Sequence, residues 1–353
     1  MFRYQNVFLE AFGYTLPEEI VSSAEIEHRL APLYQRLRLP QGRLELMSGI
    51  RERRFWPVDA LPSEKSIESG ERAIQRAGLD PKLIGALVHG SVCRDHLEPA
   101  TACRVHHALE LPRGCLIYDV SNACLGLLNG MVQVANMIEL GQVRAGLVVG
   151  SEGSRQLVET TIDQLNGDVS LSRDDVKRAV ASLTIGSASC AVLLAHRDIS
   201  RARHRLLGGV TRANSAFYGL CQSGADEAVA AGMQPLMNTD SERLMHEGIA
   251  VGAEAFDGFL TALGWRADRI DQTFCHQVGV AHRKLMLERL GLDAARDFST
   301  VEWLGNTGSV ALPITMALGV EAGRVKSGDK IAMLGIGSGI NVVMLAVEWG
   351  SVD

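Results

Sequence analysis

The chain has no long run of one charge, no apolar stretch of the roughly 20 residues a membrane-spanning helix needs, and no cysteines at paired spacing. Each absence removes a class of function. With 35 Lys+Arg against 41 Asp+Glu spread over 353 residues, for a formal charge of −6, nothing supports a nucleic-acid groove as the principal surface. The longest apolar stretch, 331–347, is broken by glycines, Ser338 and Asn341, and reads as two strands around a turn rather than a membrane span. The seven cysteines are odd in number and scattered, which argues against a disulfide framework and for a reducing, cytoplasmic setting. The first ten residues lack the charged, apolar and cleavage regions of a secretory signal. There is no HExxH, zinc-type spacing, Walker loop or GxSxG elbow, so no metal site, metal hydrolysis or phosphoryl transfer is expected.

What is there is an alternation. Strand-like runs recur at Leu83–Val92, Leu116–Val120, Ala145–Val149, Ser189–Ala195, Gln272–Cys275, Lys330–Leu334 and Asn341–Val347. Helical spacing falls at Ile67–Ala77, Leu125–Leu140, Ser241–Leu263, Val280–Leu290 and Ser309–Ala322. The pattern predicts an α/β fold with buried, mostly parallel strands. It also repeats. The run from Ala77 to Ile84 has a counterpart from Leu263 to Ile270, Ser121–Cys124 one at Gly305–Gly308, and Leu147–Gly150 one ending at Gly335, at offsets of 184 to 186 positions. Three matches in order at nearly one offset indicate two related halves, joined through the irregular segment 211–240, with a site where they meet.

Cys124 follows a small polar Ser-Asn-Ala elbow at a strand-to-helix junction. Unpaired amides and the positive helix end favour thiolate there, so this thiol is expected to ionise near neutral pH. The other six cysteines lie in generic contexts and read as structural. His276 sits at a strand end, where α/β proteins place site residues. Asn306, between glycines, fits a turn; paired with His276, it also fits a donor pair for an oxyanion. The loop Gly335-Ile-Gly337-Ser338-Gly339 allows close backbone approach and, with the Cys124 amide, a second oxyanion hole involving Gly337, Ser338 and Gly339. It is not GxGxxG and no helix follows it, so a dinucleotide is not expected. From spacing alone, Glu98 before Pro99 reads as an exposed carboxylate at a helix N-terminus.

Cys124, His276 and Asn306, with Gly49-Ile-Arg-Glu-Arg-Arg54, His276-Gln277 and Gly305-Asn306-Thr307, resemble the Cys-His-Asn triad of the thiolase superfamily in its ketoacyl synthase III branch. The runs Ser91–Pro99, Asp119–Leu125 and Leu334–Asn341 are most similar to its acyl-CoA condensing enzymes of bacterial long-chain olefin biosynthesis. The resemblance covers essentially the whole chain. It implies a five-layered αβαβα thiolase fold with halves 1–183, holding the cysteine and a general base, and 184–353, holding His, Asn and the glycine-rich loop. It further implies a tight homodimer, long-chain fatty acyl-CoA substrates, no separate cofactor, and downstream enzymes as possible partners. The resemblance also implies that Cys124 takes an acyl group from one acyl-CoA, releasing CoA, and that the enolate of a second attacks it to give a 2-alkyl-3-ketoacid. Glu98 matches the base, reaching in from the neighbouring subunit, which reverses the reading from spacing. Decarboxylative enzymes using malonyl-ACP need no such base; they, or a related acyltransferase, are the alternative reading. A thiolase-fold protein that binds without turnover is a third. Two departures stand out: His276-Gln277-Val278-Gly279 replaces His-Gln-Ala-Asn, and the positions of the nucleotide-holding Trp and Arg carry Arg43 and Met47. Segments 155–183 and 211–240, with Leu157, Ile162, Leu165 and Phe217, are expected to shape the acyl channels.

Overall fold

A computed structural model describes residues 1–224 and 237–350. In chain order its strands are β1 (Phe2–Arg3), β2 (Val7–Thr15), β3 (Glu19–Ser22), β4 (Glu52–Phe55), β5 (Ile84–Gly90), β6 (Leu116–Val120), β7 (Ala145–Glu152), β8 (Ala188–His196), β9 (His204–Ala213), β10 (Cys221–Ser223), β11 (Met237–Thr239), β12 (Gln272–Cys275), β13 (Lys330–Gly337) and β14 (Asn341–Glu348). Ten of them form one sheet in the order β12-β13-β14-β9-β2-β8-β7-β5-β6, with β1 alongside β9.

Strand side chains alternate between faces, and here both faces are buried. Val148 points into one core, whereas Leu147 and Val149 point into another. Likewise Ile331 and Met333 enter the first core, while Ala332, Leu334 and Ile336 enter a third. The shared core holds helices Gly126–Glu139 and Ala311–Glu321, so these two lie between the halves of the sheet. Helices Pro62–Ala77 and Thr101–Ala108 cover one outer face, and Ser241–Leu263 and Val280–Leu290 the other. The result is five layers, αβαβα. A continuous apolar run is what a strand with no solvent face requires, which is why these strands stood out in the sequence.

The expected predominance of parallel strands does not hold. Among the ladders of the large sheet, only β5–β6, β5–β7 and β12–β13 are parallel. The turn Ser338–Ile340 joining β13 to β14 is too short for a crossover and makes that pair antiparallel. β2 and β9, absent from the sequence reading, lie mid-sheet, where the two halves join through Phe8↔Arg205 and Leu9↔His204. The duplicated run is a structural one. Gly78 and Gly264 each end a helix in the left-handed conformation, at φ 59° and 65°, and each precedes a single 3-10 turn and a strand. β8 follows residue 183 yet is hydrogen-bonded between β7 and β2.

A fourth apolar cluster lies apart from the sheet, formed by Ile26, Leu33, Phe55, Val158, Ile162, Leu165, Val176 and Leu183. It contains Ile162 and Leu165 of the expected channel segment. Leu157 is half-buried, and Phe217 packs on the core beneath helix Ser241–Leu263, with the Arg243 guanidinium 5.3 Å from its ring. Residues 225–236 of the 211–240 segment lie outside the described residues.

Candidate active site

Cys124 stands two residues before helix Gly126–Glu139, at the end of the short connection from β6. The connection turns sharply: Ala123 adopts φ 44°, a left-handed conformation that costs a non-glycine residue roughly 1 kcal/mol. The Leu125 amide closes the turn on the Asn122 carbonyl at 2.9 Å. Opposite lies the glycine-rich turn. A Cβ built on Gly337 would stand 3.7 Å from the Cys124 Cβ and 3.0 Å from Leu125 Cγ, and the Ser338 backbone lies near enough to favour negative charge on the Cys124 sulfur. Gly339 at φ 73° and Ile340 at φ 49° turn the chain back into β14. There the Asn341 amide nitrogen reaches Asn122 Oδ1 at 3.5 Å and the Ser338 carbonyl at 3.3 Å. The elbow that carries Cys124 and the glycine turn are thus joined.

The electrostatics differ from expectation. Burial pushes the Cys124 thiol up to about 12, and the neighbouring Cys221 and Glu152 add to this. The Ser338 amide and the backbone amide at Cys124 act in the opposite direction and are outweighed. The resting group is therefore a thiol near neutral pH, not the thiolate inferred from the helix end alone. Desolvation of an anion outweighs the field of one helix terminus.

His276 follows β12, its amide bonded to the Leu334 carbonyl at 2.9 Å. Its ring is buried with neither nitrogen hydrogen-bonded among the described residues. Burial, then His282, lowers it to about 3, so it is a neutral imidazole with an N–H to offer. His282, in helix Val280–Leu290, is held at about 4 by burial, and its Nδ1 also lacks a partner among the described residues. Gln277, next to His276, uses its whole amide: Oε1 accepts from the Thr300 and Val301 amides at 2.9 Å each, and Nε2 donates to the Phe298 carbonyl at 2.9 Å. This ties the end of β12 to the segment that runs into Gly305 and Asn306.

Asn306 is buried in a turn that pairs with residues 184–186: its amide bonds the Thr184 carbonyl at 3.0 Å, and its own carbonyl takes the Gly186 amide at 2.9 Å. Asn306 Oδ1 accepts from the Gly308 amide at 3.0 Å, which fixes the carboxamide and leaves its NH2 as the free donor end. Next in the turn, Ser309 bonds Glu152, a buried carboxylate at the end of β7 within electrostatic range of Cys124. Glu98 is exposed, on the loop between β5 and helix Thr101–Ala108, with no hydrogen-bond or ion-pair partner among the described residues. No hydrogen bond joins Cys124, His276, Asn306 and Glu98 to one another among the described residues. Sequence reasoning missed Glu152, His282 and the role of Gln277. Only Gln277 had a local signal, its place beside His276.

With this geometry in view, the comparisons fall into one line. The thiolase N-terminal domain matches residues 59–202, and the C-terminal part of 3-oxoacyl-[acyl-carrier-protein] synthase III matches 260–349. An acyl-CoA:acyl-CoA alkyltransferase of Shewanella oneidensis is 40% identical over 350 residues, covering 98% of this chain and 100% of the relative. Another, from Xanthomonas campestris, is 33% identical over 98% of this chain and 99% of its own length. The crystal structure of a glutamate-to-alanine variant of Xanthomonas campestris OleA superimposes with a TM-score of 0.93 at 32% identity, over 99% of this chain and all of the other. The chain belongs to the OleA family. Its fold is therefore the thiolase fold, and it is an acyltransferase of the thiolase superfamily. A cysteine-to-serine variant of Xanthomonas campestris OleA, solved with bound lauric acid and lauroyl-CoA, matches with a TM-score of 0.92 at 33% identity, over 98% of this chain and 100% of that one.

Proposed function

We infer that the protein joins two long-chain fatty acyl-CoA molecules by a non-decarboxylative Claisen condensation. The observation that carries this reading is the convergence on Cys124 of a helix N-terminus from one half and the Gly337–Ser338 backbone from the other. A thioester carbonyl bonded to that sulfur lies against backbone donors where negative charge develops. Cys124 gives up its proton and attacks the first acyl-CoA, and CoA leaves with a proton as the free thiol. The partner subunit's Glu98 then takes an α-proton from the second acyl-CoA, whose enolate oxygen is held by the neutral His276 N–H and the Asn306 NH2. The enolate carbon attacks the acyl-cysteine, the Cys124 sulfur leaves, and hydrolysis of the remaining thioester gives a 2-alkyl-3-ketoacid. An acyl thioester is a weak carbon acid, so the step needs both base and oxyanion donors.

In this reading residues 1–183 supply nucleophile and base, and residues 184–353 supply His276, Asn306 and the loop of Gly337, Ser338 and Gly339. Homodimer formation has support in β6, which among the described residues pairs on one side only, with β5, and leaves Leu116 exposed while Leu97 stands exposed on the Glu98 loop. CoA thioesters are substrates here, and no further cofactor takes part. Seven unpaired cysteines fit a reducing cytoplasm. Among the described residues no helix is long and apolar enough to cross a membrane. The product suits a role in olefin biosynthesis, handed to downstream enzymes.

The test is the purified protein with one long-chain acyl-CoA and no malonyl donor. CoA release together with a ketone, formed by loss of CO2 from the ketoacid, supports the reading. CoA release with no new carbon–carbon bond refutes it.

A further inference from the structure

Glu152 is a carboxylate that the condensation chemistry above does not use, yet it is buried within electrostatic range of Cys124. It ends β7, beyond the apolar strand residues, and its two oxygens collect donors from both halves of the chain. Oε1 accepts from the Val92 amide at 3.0 Å, and Oε2 from the Cys93 amide at 3.3 Å. Oε1 also takes the Ser309 amide at 3.3 Å and the Ser309 hydroxyl at 2.5 Å. The first pair is the root of the loop that carries Glu98; the second is the turn that carries Asn306. Gly308 lies so close that a Cβ there, already disfavoured at φ 58°, would stand 3.0 Å from Glu152 Cγ. The Glu152 carbonyl also takes the Trp56 indole N–H at 2.9 Å. A buried carboxylate with four donors is held rigidly, because losing any of them leaves charge unpaired in a dry site.

We propose that Glu152 is a positioning residue of the condensation, whose carboxylate locks the Asn306 turn to the root of the Glu98 loop. The inference rests on the condensation read above. Neither Asn306 nor Glu98 is needed for the attack of Cys124 on the first thioester. Both are needed when the second is deprotonated, so a loosened clamp affects the second half-reaction. A second consequence is electrostatic. The Glu152 charge reaches Cys124, Cys93 and His89, and at Cys124 it works with burial to keep the sulfur protonated until substrate arrives.

Two variants separate this role from a merely structural one. Ser309→Ala keeps the carboxylate and removes one donor; Glu152→Gln keeps the shape and removes the charge. In Ser309→Ala, acyl-Cys124 formation stays near wild type while condensation falls about tenfold, the effect of one hydrogen bond to a charged group. Glu152→Gln loses more condensation, with KM unchanged, and Glu152→Asp recovers part of it. Alkylation by iodoacetamide, followed at Cys124 by peptide mass mapping because all seven cysteines are free, needs no turnover. Its pH profile moves to lower pH in Glu152→Gln and returns toward wild type in Glu152→Asp. Condensation at the wild-type rate in Ser309→Ala overturns the proposal, even if Glu152→Gln fails to fold. So does a Glu152→Gln alkylation profile that superimposes on wild type. A wild-type protein that never condenses counts against the function instead, and the alkylation profiles still report on the charge.

Discussion

Replacing Gln277 by alanine isolates the tie between the end of β12 and the segment that leads into the Asn306 turn. The side chain is buried and occupied at every polar position: two backbone amides, Thr300 and Val301, point at Oε1, and the Phe298 carbonyl receives Nε2. Alanine strips all three backbone groups of their partner. At about 1–3 kcal/mol for each buried group left unsatisfied, and with water entering part of the space, the loss of stability is roughly 3–5 kcal/mol. Gln277→Glu is no milder control, because it sets a second acceptor against the Phe298 carbonyl in a buried place and must either bury a charge or take up a proton there. Urea unfolding followed by circular dichroism measures the loss, and Gln277→Ala should move the midpoint well below that of the wild type. The segment 298–301 leads through Val301–Leu304 into Asn306, so condensation should fall further than acylation of Cys124. A cost below about 1 kcal/mol for alanine, within the range of an ordinary surface change, would refute the reasoning.

Other expectations follow from the same structure. Because burial and Glu152 hold Cys124 near 12, its alkylation should rise roughly tenfold per pH unit between pH 7 and 10; a plateau near neutrality would restore the thiolate picture. His276 and His282 are lowered to about 3 and 4, so between about pH 4 and 6.5 the unfolded chain binds protons that the native one does not. Stability should therefore fall as pH drops through that window, with a slope approaching about 2.7 kcal/mol per pH unit, and a flat urea midpoint from pH 7 to 5 would contradict it. Gly186→Ala would place a Cβ 1.9 Å from the Leu304 carbonyl oxygen, against backbone, and should sharply lower the melting temperature; an unchanged value would show that the Asn306 turn adapts.

The two outer-to-inner runs of the fold were legible because burial on both faces writes itself as uninterrupted apolar sequence. Gln272–Cys275, Ser241–Leu263 and Val280–Leu290 end where the sequence put them. β2 and β9 were not legible. β2 carries Glu10 and Gly13, and β9 carries Gly208 and Gly209; in β2 the charge is accommodated by the Ser200 hydroxyl and the Arg201 and Ala202 amides, which no local pattern announces. Strand direction likewise depends on the connections and partners of each strand, not on its own residues. At the candidate site, the elbow before a helix singled out Cys124, and the structure has that turn there, since the feature is local. Its protonation was misread because desolvation and the Glu152 charge come from residues distant in sequence. Glu152 itself sits at the end of an apolar strand and looks like any strand-terminal carboxylate until Val92, Cys93 and Ser309 are folded around it.

The most direct measurement is a single-turnover acylation of Glu98→Gln with lauroyl-CoA, followed by intact mass and CoA release. The account predicts one lauroyl group per subunit, mapped to Cys124 and absent from Cys124→Ala, with one CoA released and no condensed product. Full condensation by Glu98→Gln, or a lauroyl group carried by any residue other than Cys124, would contradict it.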